Sequence, residues 1–75
     1  MLTKRKVCSL VRPGDAVFII AAGGGVIPAK VNEICDDCIE TDQDTLFYDE
    51  HRIVWMFTES EAKKMALKSQ KNVLY

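Results

Sequence analysis

Seventy-five residues, 48% apolar and 28% charged, leave room for one small globular domain, without a second, and are too apolar for a disordered tail. Ten Lys and Arg against eleven Asp and Glu give a net charge of −1, which excludes the global basic field behind non-specific nucleic-acid binding. A chain this short buries only roughly 60% of its unfolded surface, so a deep catalytic cleft is not expected.

Residues 1–12 read as a basic lead-in whose Val7, Leu10 and Val11 add an edge segment to the body. Pro13-Gly14-Asp15 marks a turn. Residues 16–22 are β-branched, aromatic and apolar on both faces, the composition of a buried strand, and Gly23-Gly24-Gly25 ends it. Residues 26–35 return as a second strand, with Ile27, Ala29 and Val31 on one face and Pro28, Lys30 and Asn32 on the other. The alternation fails near Glu33 and Ile34, so a β-bulge is expected there, returning Ile34 to the inner face. Asp36-Asp37 supplies a two-residue hairpin loop, residues 38–42 a short strand with Ile39 and Thr41 on a common face, and Gln43-Asp44 the next turn. Residues 45–48 and 52–57 are two more β-rich runs divided by Asp49-Glu50-His51. Four to five strands so closely spaced predict a mainly β chain folded as a small barrel.

The period then changes. Thr58 stands three residues before Glu61, a capping box with the hydroxyl toward the Glu61 amide and the carboxylate back to the Thr58 amide. One C-terminal helix is expected over residues 58–71, with acids in its first turn and lysines later. Ala62, Met65, Ala66 and Ser69 make its packing stripe, while Lys64, Lys68 and Lys71 make a separate basic one. Fraying is expected around residues 70–72, leaving Val73-Leu74-Tyr75 docked or mobile.

Charge is segregated along the chain. Residues 1–31 carry Lys4, Arg5, Lys6, Arg12 and Lys30 against Asp15, residues 32–50 carry eight acids and no base, and the last 25 return to a net of +3. Segments of opposite sign are expected to neutralise one another across the folded surface, with a polar partner surface as the other reading. The apolar run a signal peptide needs is interrupted by Ser9, Arg12, Pro13 and Asp15, and residues 16–22 fall far short of a bilayer span, so a cytoplasmic protein is expected.

Three cysteines, an odd number, fit poorly with a disulfide framework. Cys35-Asp36-Asp37-Cys38 has the spacing of half a zinc site, which Cys8 and His51 would have to complete, or of a redox pair. Acids between the thiols also suit a tight turn, and the expectation is turn-flanking cysteines with no metal and no cofactor. His51, the single histidine, sits in an acidic turn with no apolar shielding visible in sequence, so it reads as solvated, and with no nucleophile constellation no catalytic residue is assigned. Gly23-Gly24-Gly25 follows a strand as phosphate-binding loops do, but Val26-Ile27-Pro28 does not open the helix such a loop needs. The glycines are a flexible hairpin tip, of use to a binding loop.

Pro13-Gly14-Asp15-Ala16-Val17-Phe18-Ile19-Ile20, then Ala29-Lys30-Val31-Asn32-Glu33-Ile34, and above all residues 52–62 (Arg-Ile-Val-Trp-Met-Phe-Thr-Glu-Ser-Glu-Ala) carry a family likeness. This layout resembles the short SH3-like barrel proteins of low-GC Gram-positive bacteria and their prophages, over residues 13–68. The bulky Trp55-Met56-Phe57 and the triple glycine depart from that group's pattern. The resemblance implies an SH3-like barrel with a terminal helix and carries no activity with it.

The expected function is therefore a non-catalytic interaction module. Small barrels bind through exposed rings, and Phe47, Tyr48 and Trp55 are the candidates, unless Phe47 and Trp55 are core and Tyr48 is a rim residue. Asp49 and Glu50 beside Tyr48 repel phosphates, which favours a protein partner contacting Tyr48, Trp55 and the Gly23, Gly24, Gly25 loop. The alternative is a nucleic-acid accessory protein using Lys4, Arg5, Lys6, Lys64, Lys68 and Lys71.

Overall fold

The computed structural model describes the backbone of residues 2–73 and the side chains of residues 2–67. Five antiparallel strands form one curled sheet in the order β4-β3-β2-β1-β5, a small SH3-like half-barrel that is mainly β and carries a C-terminal helix. The strands are β1 (Ala16–Ile20), β2 (Val26–Ile34), β3 (Cys38–Thr41), β4 (Thr45–Phe47) and β5 (Trp55–Met56). Val17, Ala29, Val31, Ile39, Leu46 and Trp55, each 3% exposed or less, fill the concave side.

Local chemistry explains most of the turns. Pro13 at the second position and Gly14 at φ 99° at the third make the turn into β1, and Asp15 closes it by accepting the Arg12 amide at 2.9 Å. β1 ends at Ile20, two residues before the expected stop, because Ala21 already begins the next turn by accepting the Gly24 amide at 2.9 Å. Gly24, at φ 90°, occupies the left-handed position of that hairpin. In β2 the register shifts between Val31 and Glu33, the expected bulge, after which Ile34 pairs with Ile39 and packs on the core. Ile27, expected inside, is 39% exposed at the strand's outer end. Thr41 Oγ1 accepts the Gln43 and Asp44 amides at 3.2 and 2.9 Å and so fixes the turn between β3 and β4.

Two expectations need correcting. The N-terminal segment is not an extended edge but a helix, α1 (Lys4–Leu10), capped by Thr3, whose hydroxyl accepts the Lys6 amide at 3.3 Å. Leu2 and Val7 take the positions of a hydrophobic staple around that cap, and Val7 is fully buried while Leu10 faces solvent. Residues 52–57 are strand over Trp55–Met56 alone. A 3-10 turn, Tyr48–Glu50, leads into a loop in which the Ile53 and Val54 amides both donate to the Glu50 carbonyl at 3.0 Å, and Arg52 adopts φ 69°. Loop hydrogen bonds outweigh β propensity there, and Ile53 is left 69% exposed.

The terminal helix α2 (Glu59–Val73) begins where the capping residues place it and runs through the stretch expected to fray; Leu74 and Tyr75 lie outside the described residues. The cap differs in one bond. The Thr58 hydroxyl accepts the Glu61 amide at 3.3 Å as expected, but it donates to the Glu61 carboxylate at 2.8 Å, in place of a carboxylate bond to the Thr58 amide. Ala62 and Ala66 are buried against the sheet, small enough to let the helix approach closely.

Candidate interaction surface

The ring positions follow from strand parity and one turn. In β4, Leu46 points inward and pairs with Ile39, so Phe47 points outward opposite Cys38. The 3-10 turn then swings Tyr48 back inside. Its amide donates to the Asp37 carbonyl at 3.0 Å, its hydroxyl donates to the Cys35 carbonyl, and the residue is 6% exposed. Burial, with the neighbouring thiols and Asp36 adding to it, raises its pKa to about 12, so the hydroxyl keeps its proton as a donor. Trp55 is fully buried, with its indole N–H donating to the Phe47 carbonyl at 2.8 Å. Tyr48 and Trp55 are therefore core, not stacking platforms. The ring at the surface is Phe47, 46% exposed.

His51 is not a solvated turn residue either. Its ring lies 4.8 Å from both Trp55 and Phe57, which are themselves 5.0 Å apart edge to face. Nε2 is buried and has no hydrogen-bond partner among the described residues. Burial lowers the pKa, Arg52 lowers it further, and Glu61 acts the other way. The shielding comes from four and six residues downstream, which adjacency in sequence does not reveal.

Leu2, Asp36, Asp37, Phe47, Tyr48 and Asp49 line a cleft of about 300 Å³. Leu2, Tyr48 and Asp49 are shared with a wider depression of about 600 Å³ that reaches Lys6 and His51. The groove thus has an apolar floor, one open aromatic face and three carboxylates at its rim. Lys4 lies 3.7 Å from Asp36 with both side chains largely in solvent, a contact too exposed to neutralise the rim firmly.

The glycine loop belongs elsewhere. Gly24 lines a separate depression with Val26 and the α2 residues Glu59, Lys63, Ala66 and Leu67, and this shares no lining residue with the Phe47 cleft. A single surface combining Tyr48, Trp55 and Gly23 to Gly25 is not formed. The basic residues are also divided: Lys4, Arg5 and Lys6 are exposed on α1, and Lys64 is exposed on α2 beside Arg52, which lies 3.7 Å from Glu61. The side chains of Lys68 and Lys71 lie outside the described residues. All three cysteines are free thiols, with Cys8 exposed on α1. Burial first, then the adjacent Cys35 thiol and Asp37, pushes the Cys38 thiol up to about 11.

No family model, curated protein or solved structure matches this chain. Among the described residues, no helix is long and apolar enough to cross a membrane.

Proposed function

We propose that this chain is a non-catalytic interaction module that binds another protein through the groove between Leu2 and Phe47. The reading rests on one observation: a large ring left 46% exposed beside the carboxylates of Asp36, Asp37 and Asp49. An open ring anchors an apolar side chain, and a negative rim selects Lys or Arg flanking it while repelling phosphate. On this reading the partner segment is basic and apolar together, and the module works in the cytoplasm, a reducing compartment that suits its three free thiols.

The runner-up is a nucleic-acid accessory role through Lys4, Arg5 and Lys6, all exposed on α1, together with Lys64, Lys68 and Lys71 of α2. Against it stands the acidic rim of Asp36, Asp37 and Asp49, which lies beside that helix. The two roles separate by salt and by one side chain. Wild-type, Phe47→Ala and Asp49→Lys proteins are immobilised and exposed to lysate with and without nuclease, and the recovered protein's basic segments are then titrated as peptides against each variant. Recovery that survives nuclease and falls with both substitutions supports the groove. Recovery that is indifferent to Phe47→Ala refutes it, and nuclease-sensitive recovery that falls steeply with salt moves the role to the basic helix.

A further inference from the structure

Residues 33–40 read the same in both directions, Glu-Ile-Cys-Asp-Asp-Cys-Ile-Glu, and the β2–β3 hairpin folds this palindrome onto itself. Glu33 pairs with Glu40 and Ile34 with Ile39. One step on, Cys35 stands opposite Cys38 and donates its amide to the Cys38 carbonyl at 2.8 Å. Alternation sends the two isoleucines to the core side, where Ile39 is fully buried, and places Glu33, Cys35, Cys38 and Glu40 on the other face.

Four metal-ligating side chains thus occupy two facing pairs on one small patch. The donor atoms of Glu33, Cys35 and Glu40 all lie within 4.8 Å of one another, and Cys35 Sγ is 3.9 Å from Glu33 Oε2. The Cys38 thiol adjoins that of Cys35 across the turn but lies outside this group of three. Like charges directly opposite one another weaken a strand pair, and no described cation forms an ion pair with Glu33 or Glu40. A bound cation would remove that repulsion and join the two strands at their loop end.

From this geometry we infer that the β2–β3 hairpin is a binding site for one thiophilic divalent cation of the zinc class, ligated by Cys35, Cys38, Glu33 and Glu40. Two thiolates and two carboxylates form a tetrahedral set, and the sulfurs select zinc over calcium or magnesium. Tetrahedral bonds of about 2.0–2.3 Å bring donor atoms to about 3.3–3.8 Å of one another, so Glu33, Cys35 and Glu40 close by side-chain shifts of about 1 Å, and Cys38 completes the set by turning its thiol toward them. Each thiol that binds releases its proton to solvent, so one cation enters as two protons leave. The zinc site considered from sequence joined the thiols to Cys8 and His51, but Cys8 sits exposed on α1 and His51 is packed between Trp55 and Phe57. The missing ligands lie two residues outward from each thiol, and the palindrome was the signal for them.

The test uses the whole chain, reduced with a thiol-free reductant under nitrogen, titrated with Co²⁺ alone and then Zn²⁺ alone. One Co²⁺ per chain, with thiolate-to-cobalt charge transfer and tetrahedral d–d bands, is expected, and one Zn²⁺ displaces it. Cys35→Ser removes the charge-transfer band of that thiolate, and Glu33→Gln or Glu40→Gln weakens binding by about tenfold or more, the scale on which even outer partners of a metal site count. Cys8→Ser and His51→Gln, both away from the hairpin, leave it unchanged. Trp55 fluorescence checks that each variant is folded. Absence of one-to-one uptake overturns the site, as does uptake that survives the double change Cys35→Ser, Cys38→Ser or that requires Cys8 or His51. Conversion of the two thiols to a disulfide without metal uptake overturns it as well.

Discussion

Val7→Ala tests whether α1 belongs to the cooperative unit. Val7 is 0% exposed, and truncation removes two buried methyl groups, worth about 1.6 kcal/mol of transfer free energy. The incompletely closed cavity adds to this, for about 2–3 kcal/mol in all. Alanine is the better helix former by about 0.5 kcal/mol, which leaves a net loss near about 2 kcal/mol. A chain of this length has roughly 4–11 kcal/mol of stability at ~0.05–0.15 kcal/mol per residue, so the loss is a large fraction of it. The midpoint falls by about 8–16 °C at ~4–8 °C per kcal/mol. Urea unfolding followed by Trp55 fluorescence reads this well, because the single tryptophan is buried in β5 and reports on the far end of the sequence. Leu10→Ala, at a position 51% exposed on the same helix, serves as control and stays within about 0.5 kcal/mol. A Val7→Ala shift no larger than the control's refutes the placement of α1 on the core.

Thr58→Ala lowers stability by about 1 kcal/mol through loss of the α2 cap, and an unchanged thermal midpoint refutes that helix start. His51 gives a pH dependence. Its folded pKa lies below the ordinary 6.5, so as pH falls through 6.5 the unfolded chain takes up a proton before the folded one does. Stability is therefore highest above 6.5, declines below it, and stops declining once the folded value is passed. His51→Gln removes that decline, as followed by midpoint against pH; wild-type stability that is flat or rising on acidification through 6.5 contradicts the buried ring.

Strand and cap signals were legible wherever they were local. The Pro13-Gly14-Asp15 turn, the failure of alternation before Ile34, the Asp36-Asp37 loop and the Thr58–Glu61 pair each act within four residues, and each appears close to its expected place. α1 escaped because seven residues make about two turns, too short a window for a repeating apolar pattern, and three consecutive bases mask the Thr3 cap and the Leu2–Val7 staple. The ring assignments failed for a different reason. Phe47 and Tyr48 are adjacent, so one faces out and the other in, and a single 3-10 turn after β4 decides which. No composition rule sets that parity. The cleft itself joins Leu2 to residues 36–49, a long-range meeting that depends on α1 lying against the sheet.

The strand order β4-β3-β2-β1-β5 has a consequence for the partly made chain. β1 to β4 are joined by short local hairpins, but β1 finds its second neighbour only when Phe18 meets Met56 and Ile19 meets Trp55. Until those late residues arrive, Ala-Val-Phe-Ile-Ile of β1 is an open apolar edge with unpaired amides and carbonyls, the kind of template on which strands from other chains add. Two residues of β5 therefore act as a cover against self-association out of proportion to their length, and a chain cut before Trp55 would lose that cover together with the buried Trp55, Met56 and Ala62.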